Sequence, residues 1–409
     1  MKWQTQQISL AFIGTFVCFS GCIMQGQQRT VSERVSGRTF PSIFQAWNPI
    51  DMSTVPLETN RYRLRAAARH DLLWEEPVSQ SGSGVELVLG AVWDHSHGGL
   101  ATGFTNKSLR KALANRRAML AMNPDMVFLR EIRWKDAPGS FLPEGSDWWI
   151  KGEDGQRKAG WAGGPEPYYC LNYKNPQLRQ QIALQAKVAV ESNIYDGIML
   201  DSWGSYGENE PGCIDLLRGI RGTIGPDRLI IVNNDRIAPL PNSAPFINGA
   251  FMEQTSSCHD SPEKWRKIKE QLLWFESNLA KPVTNCLEIQ TQTPADMRAG
   301  LALSLVYSNG YYLFAQDDNR NPAPDHLHDW FGIYDVKLGG PVSKAIEPDG
   351  GASQRQFDNG MVAYNPMGNG PVQVLFKTPH RRASNNHPGK SFVLIGGDGD
   401  IFLQDSPDD

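Results

Sequence analysis

Tyr195-Asp196-Gly197-Ile198-Met199-Leu200-Asp201-Ser202-Trp203 is the stretch whose reading decides the fold. Ile198, Met199 and Leu200 form a short apolar run, opened by the turn pair Asp196-Gly197. A run of this length bounded by a turn signal fits a parallel strand buried on both faces. Asp201 follows the run, where such a strand leaves the core at its C-terminal end. Parallel α/β barrels place their chemistry at that end, so Asp201 reads either as a functional carboxylate or as one that caps the following turn or pairs with a cation, and the stretch alone does not separate the two. Asp196 lies at the opposite end and reads as turn chemistry.

Working outward, similar runs recur with helical segments between them. Before the opening stretch come Ser42–Trp47, Val85–Trp93 and Asp125–Trp134; after it come Arg228–Asp235, Asn248–Gln254, Pro282–Glu288 and Gly310–Phe314. Helical spacing is expected over 62–74, 108–122, 175–192, 262–279 and 296–307. Eight apolar runs in this alternation predict a (β/α)8 TIM barrel over 39–334, in which the opening stretch is the fourth strand. An open doubly wound sheet is the alternative, but no Gly-rich phosphate loop follows the first strand. Past residue 335 the helical period stops. Short β-like runs at 360–364, 372–376 and 391–395 predict a small all-β, sandwich-like domain over 335–409.

The N-terminus reads as an export signal. Lys2 precedes an apolar run from Ile8 to Phe19 that is short for a bilayer span and right for a signal core. Phe19-Ser20-Gly21-Cys22 resembles a bacterial lipobox with Phe in place of the usual Leu, so Cys22 is the expected lipidation site. Plain signal cleavage nearby is the alternative. Residues 1–22 are thus a signal peptide and the polar residues 23–38 a flexible tether. The expected location is the cell envelope or the exterior, with any membrane contact made through the lipid anchor.

Four cysteines remain after removal of Cys18 and acylation of Cys22, and the pairings Cys170–Cys213 and Cys258–Cys286 are expected. The net charge of −4 gives no reason to expect nucleic acid as a partner. No cofactor motif stands out, and no Cys or His spacing argues for a metal. The oligomeric state is not legible.

The expected rim of the barrel collects Trp47 from strand one, Asp94 and His95 from strand two, and Glu131 and Arg133 from strand three. Asp201 and Trp203 follow from strand four, Asn233 from strand five, Glu253 from strand six, Glu288 from strand seven and Gln316 from strand eight. Carboxylates, amides and aromatic rings together suit a polyhydroxylated ligand, and 12 tryptophans point the same way. Glycoside hydrolysis needs two carboxyl groups, roughly 5–5.5 Å apart for retention and roughly 6.5–9.5 Å apart for inversion. Asp201 and Glu253, one strand apart, are the expected catalytic pair, with Glu288 the rival partner. The remaining rim residues are expected to bind substrate.

The opening stretch resembles the Asp-Gly-hydrophobic-x-Leu-Asp-x-Trp segment of uncharacterised bacterial glycosyl hydrolase-like TIM-barrel families. Arg355-Gln356-Phe357-Asp358-Asn359-Gly360-Met361-Val362-Ala363-Tyr364-Asn365-Pro366 is similar to the motif that follows their barrels. More distantly, the acids of strands four and six are similar in placement to those of α-galactosidase and α-glucosidase barrels, which keep their nucleophile and acid/base there. Those families carry Asp on strand six where this chain has Glu253. The resemblance implies an exported glycoside hydrolase acting on an oligo- or polysaccharide. The alternative is a surface lipoprotein that binds carbohydrate on the same scaffold without cleaving it. A barrel deacetylase or esterase is less favoured, since no Gly-x-Ser-x-Gly is present.

Overall fold

A computed structural model describes residues 29–47, 60–75, 88–163, 166–254, 259–290, 293–315 and 326–404. The expected signal with Cys22, and Cys258 and Gln316, lie outside the described residues.

The first half of the chain runs α1 (Val31–Gly37), β1 (Phe44–Gln45), α2 (Asn60–Ala67), β2 (Leu72–Glu75), α3 (Asn106–Met122), β3 (Val127–Glu131), β4 (Asp136–Pro138), β5 (Tyr168–Cys170) and α4 (Pro176–Glu191). Then come β6 (Gly197–Leu200), α5 (Trp203–Tyr206), α6 (Pro211–Ile224), β7 (Leu229–Asn233), β8 (Gly249–Gln254), α7 (Pro262–Asn278), β9 (Cys286–Gln290), α8 (Pro294–Tyr307) and β10 (Tyr311–Ala315). Eight strands pair in parallel in the order β1-β2-β3-β6-β7-β8-β9-β10. A parallel bridge from Ile43 to Tyr312 brings the ring to near closure. The helices start where local chemistry dictates. Asn175, Ser261 and Thr293 cap α4, α7 and α8 through their side chains, each followed by a proline.

The second barrel strand corrects the expectation. The helix expected over 62–74 stops at Ala67, and Leu72–Glu75 pairs between β1 and β3. The run expected as that strand supplies no barrel strand among its described residues. Val88, Leu89 and Ala91 are buried as a loop against α3, where Asn115 donates to the Val88 carbonyl. Gly90 at φ +77° breaks the extended course there. An apolar run reads alike whether it packs as strand or as lining, and only pairing partners separate the two.

Strand alternation sorts the core into two layers. Phe44, Trp74, Leu129, Met199, Ile231, Phe251 and Leu313 fill the barrel interior, while Leu73, Phe128, Ile198, Ile230, Met252 and Leu287 face the helices. Gly197 has no room for a side chain: a Cβ there would meet the Leu229 carbonyl oxygen at 2.2 Å. The tether expectation also fails over its described part. Val31 and Val35 of α1 join the interior cluster and close the N-terminal end of the barrel. Arg34 from α1 and Arg116 from α3 both grip Asp196, with contacts of 2.5 and 2.8 Å.

After the barrel come β11 (Ser353–Phe357), β12 (Gly360–Asn365), β13 (Val372–Arg382), β14 (His387–Leu394) and β15 (Asp398–Gln404). They form one antiparallel sheet in the order β11-β12-β15-β13-β14. A register shift in β13 between Leu375 and His380 lets this sheet curl over its own core of Met361, Val374, Phe392 and Phe402. The sandwich-like expectation thus resolves into a single curled sheet. It docks on α8, which is buried along most of its length between β9 and β10 on one side and β12 and β15 on the other.

The expected Cys170–Cys213 disulfide is absent, and Cys258, the expected partner of Cys286, lies outside the described residues. Cys170, Cys213 and Cys286 are free thiols. Cys286 faces the barrel interior at the N-terminal end of β9, surrounded by core side chains.

Candidate active site

The period of two that sorts the core also builds the site. Moving up each strand from its interior apolar residue, the next inward positions are Glu131 on β3, Asp201 just beyond β6, Asn233 on β7, Glu253 on β8 and Glu288 on β9. Five neighbouring strands therefore deliver four carboxyl groups and one amide above an apolar floor of Trp74, Phe251 and Met199. Glu131 and Glu288 are fully buried. The Asp201 carboxylate keeps 27% of its side-chain surface open to solvent.

Asn233 joins the expected catalytic pair. Its Nδ2 donates to Asp201 Oδ1 at 2.8 Å and to Glu253 Oε2 at 3.0 Å. The backbone N–H of Ser202 donates to the same Asp201 oxygen at 2.7 Å, and the Ser202 hydroxyl lies 3.3 Å from the other. Burial pushes the Glu253 carboxyl up to about 7. His326 and the Asn233 bond work against that rise, and the charges of Glu288 and Asp201 add to it. Glu253 is thus poised to hold a proton near neutrality, beside the hydrogen-bonded carboxyl group of Asp201.

The other groups position this pair. Arg133 lies 3.1 Å from Glu131, 3.6 Å from Asp136 and 3.9 Å from Asp201. Burial opposes its charge, but Glu131, Tyr168, Asp201 and Asp136 outweigh burial and push its pKa up. Trp47 donates its indole N–H to Glu131 at 2.6 Å and stands edge-on to Trp74 and Phe251. His326 Nδ1 lies 2.7 Å from Glu288 Oε1, and Gln290 donates to Glu288 Oε2. Trp47, Ser202 and His326 all have left-handed backbones, with φ of 45°, 53° and 65°. Such non-glycine conformations cost on the order of 1–3 kcal/mol each and gather where function holds them in place.

Three expected site residues are not brought here. Asp94 and His95 follow the run that is not a barrel strand, and both lie exposed in a loop. Asp94 accepts from the Thr102 N–H, and His95 accepts from the His97 N–H. Trp203 is fully buried and donates its indole N–H to Ser243, so it supports α5 from behind instead of meeting a ligand. His326 joins the site without having been foreseen. Its only trace in the sequence is a His-x-His pair beyond strand eight, which nothing links to Glu288 before the chain is folded.

Among the described residues, Glu253, Glu288 and His326 bring potential metal-ligating atoms together, all within 4.8 Å of one another. The direct His326–Glu288 contact spends one ligand atom from each on the other, and Gln290 takes the second Glu288 oxygen. Glu253 takes its own bond from Asn233, on the other side of the group.

No protein family and no curated protein matches the chain by sequence. Solved structures do match it by shape. A noncanonic maltogenic α-amylase from Thermotoga neapolitana superposes with a TM-score of 0.55 at 12% identity, over 88% of this chain and 98% of that one. An α-amylase from Malbranchea cinnamomea gives 0.52 at 10% identity, over 92% and 98%. A pullulanase from Anoxybacillus gives 0.53 at 10% identity, over 89% and 69%. The fold is that of an amylase-like barrel. At such identities the likeness is one of fold, and it includes the β domain that follows an amylase-like barrel. The chemistry has to be argued from the side chains themselves.

Proposed function

We propose that this chain is an exported glycoside hydrolase that cleaves O-glycosidic bonds of an oligo- or polysaccharide with Asp201 as nucleophile and Glu253 as general acid/base. The observation that carries the reading is the Asn233 amide shared by the two carboxyl groups. Both oxygens sit within 3.0 Å of one nitrogen, so their separation falls nearer the roughly 5–5.5 Å of retaining enzymes than the roughly 6.5–9.5 Å of inverting ones.

The roles follow from the environments. Asp201 accepts bonds from Asn233 and the Ser202 N–H, which fix its orientation, and it keeps part of its side chain open to solvent. It attacks the anomeric carbon as the glycosidic C–O bond breaks. Glu253, raised to about 7, gives its proton to the departing oxygen. In the second step Glu253, now ionised, takes a proton from water as that water displaces Asp201 from the anomeric carbon. Trp47 and Arg133 hold Glu131 behind the sugar position, and the His326–Glu288 pair backs Glu253. The fold is shared with glycoside hydrolases, which supports carbohydrate as the ligand class. The signal-like N-terminus and Cys22 support export with a lipid anchor.

The test is a hydrolysis screen of a glycan panel with wild type, Asp201→Asn and Glu253→Gln. Cleavage by wild type, lost in both variants with the fold intact, is the expected result. Retained binding with no product from wild type on any glycan would favour the non-catalytic carbohydrate-binding reading instead.

A further inference from the structure

The outer helices of the barrel differ in how they treat their cations. α4, α6 and α7 pair theirs along the helix surface, in Lys187–Glu191, Arg218–Asp215, Arg266–Glu270 and Lys267–Glu263. α2 and α3, which pack against each other, contain no Asp or Glu. No acid occurs anywhere between Asp94 and Asp125, in a chain whose net charge is −4. Arg65 of α2 and Lys107, Arg110 and Arg117 of α3 are exposed, and none of them makes an ion pair among the described residues.

The helical period puts Lys107, Arg110 and Arg117 on one stripe of α3. The other exposed positions on that stripe are Ala114, Ala118 and Ala121, whose small side chains leave the cations standing proud. Tyr62 on α2 and Met122 at the end of α3 are exposed as well. Lys107 lies in the first turn of α3, where the helix dipole disfavours a cation. Positive charge that no ion pair offsets and the dipole opposes fits a negatively charged partner. A second copy of the same face would set these cations against one another.

The N-terminal segment is tied down beside this face. Arg29 pairs with Asp125, just past the end of α3, and Cys22, the expected lipidation site, precedes Arg29 by seven residues. That length of chain reaches at most about 25 Å. α3, with 17 residues, is itself about 25 Å long. A lipid on Cys22 therefore keeps the membrane within reach of the stripe. We propose that the exposed face of α2 and α3 rests on an anionic lipid surface, with Arg65, Lys107, Arg110 and Arg117 against the lipid phosphates. The proposal rests on the anchored reading of the chain and extends its membrane contact from the acyl group to the protein. α3 runs alongside the barrel strands, so the mouth then opens along the membrane instead of into it.

The test is co-sedimentation of the mature chain from Ile23 onward, which carries neither signal nor acyl group, with vesicles. One set is an equal mixture of phosphatidylglycerol and phosphatidylcholine, and the other is phosphatidylcholine alone. Binding is expected to the anionic vesicles only and should weaken as salt rises. The triple variant Lys107→Gln, Arg110→Gln, Arg117→Gln should weaken it about a hundredfold, at about fivefold per charge, with no fall in melting temperature. Lys264→Gln, Arg266→Gln, Lys267→Gln on α7 makes the same change in net charge and should cost less than about twofold. Equal binding to phosphatidylcholine, an equal loss from the α7 variant, tighter binding to a DNA oligomer than to the anionic vesicles, or no vesicle binding would overturn the face. The anchor is tested apart from it, by the mass of the N-terminal peptide of the exported full-length chain. An unmodified Cys22 would overturn the anchored reading.

Discussion

Asp196 and Asp201 stand five positions apart at opposite ends of one strand, and their surroundings differ in every respect that matters. Asp196 is closed in. Two guanidiniums and the Phe128 N–H bind its carboxylate, and two of those contacts are 2.5 and 2.8 Å. Burial works against its charge, but Arg116 and Arg34 outweigh burial and hold its pKa below the usual range. Asp201 has one arginine at 3.9 Å, an amide shared with Glu253, and an open side toward solvent. The N-terminal end of the barrel spends its charges on holding the fold. The C-terminal end keeps carboxyl groups close together with few cations between them, an arrangement that costs stability and that the proposed hydrolase chemistry would account for.

That contrast is sharpest in the two conservative amide variants. Asp201→Asn is expected to lower hydrolysis by at least about a thousandfold with little change in melting temperature, because it removes the nucleophile without disturbing packing. Asp196→Asn should do the reverse. Two buried guanidiniums lose their counter-charge, a change that costs about 3–5 kcal/mol and lowers the melting temperature, while the folded fraction keeps its specific activity. If Asp196→Asn lost activity without losing stability, the division between the two ends would be wrong. Activity assays paired with thermal unfolding decide both.

A smaller effect is expected at Asn233. Asn233→Ala should lower kcat about a hundredfold, on the scale seen when a preorganised donor is removed. It should also move the alkaline limb of the pH–rate profile upward, because the Asn233 bond favours the ionised form of Glu253. In wild type that limb should lie near 7, with the rate falling as pH rises and Glu253 gives up its proton.

The smallest effect concerns stability against pH. Glu253 holds its proton more tightly folded, at about 7, than at its ordinary value of 4.5. Between those values the folded state binds more protons than the unfolded chain, so this group's contribution to stability falls as pH rises through that window. Glu253→Gln should flatten the fall, and denaturant unfolding at either end of the window measures it. Asp196 contributes in the opposite sense, with stability present above the ordinary carboxylate range and lost as pH falls through its lowered pKa.

The barrel was legible because its buried strands are short apolar runs at a regular rhythm, and the inward register of Glu131, Asp201, Asn233, Glu253 and Glu288 follows from a period of two. What failed had physical causes. Leu72–Glu75 is short and follows a helical stretch directly, so it was absorbed into that helix, and the buried loop 88–93 took its place. That single slip carried Asp94 and His95 to a rim they do not reach. Val31–Gly37 is polar by composition, yet its two valines and Arg34 close the barrel floor. The bridging role of Asn233 and the arrival of His326 at Glu288 depend on side-chain geometry, which spacing along the chain does not encode.

The most direct test of the paired carboxyl groups is the stereochemistry of the first product. Proton NMR of fresh hydrolysis of a cleaved panel glycan should show the sugar released with the anomeric configuration of the substrate, as attack by Asp201 and protonation by Glu253 across the shared Asn233 amide require. Release of the opposite anomer would contradict the account.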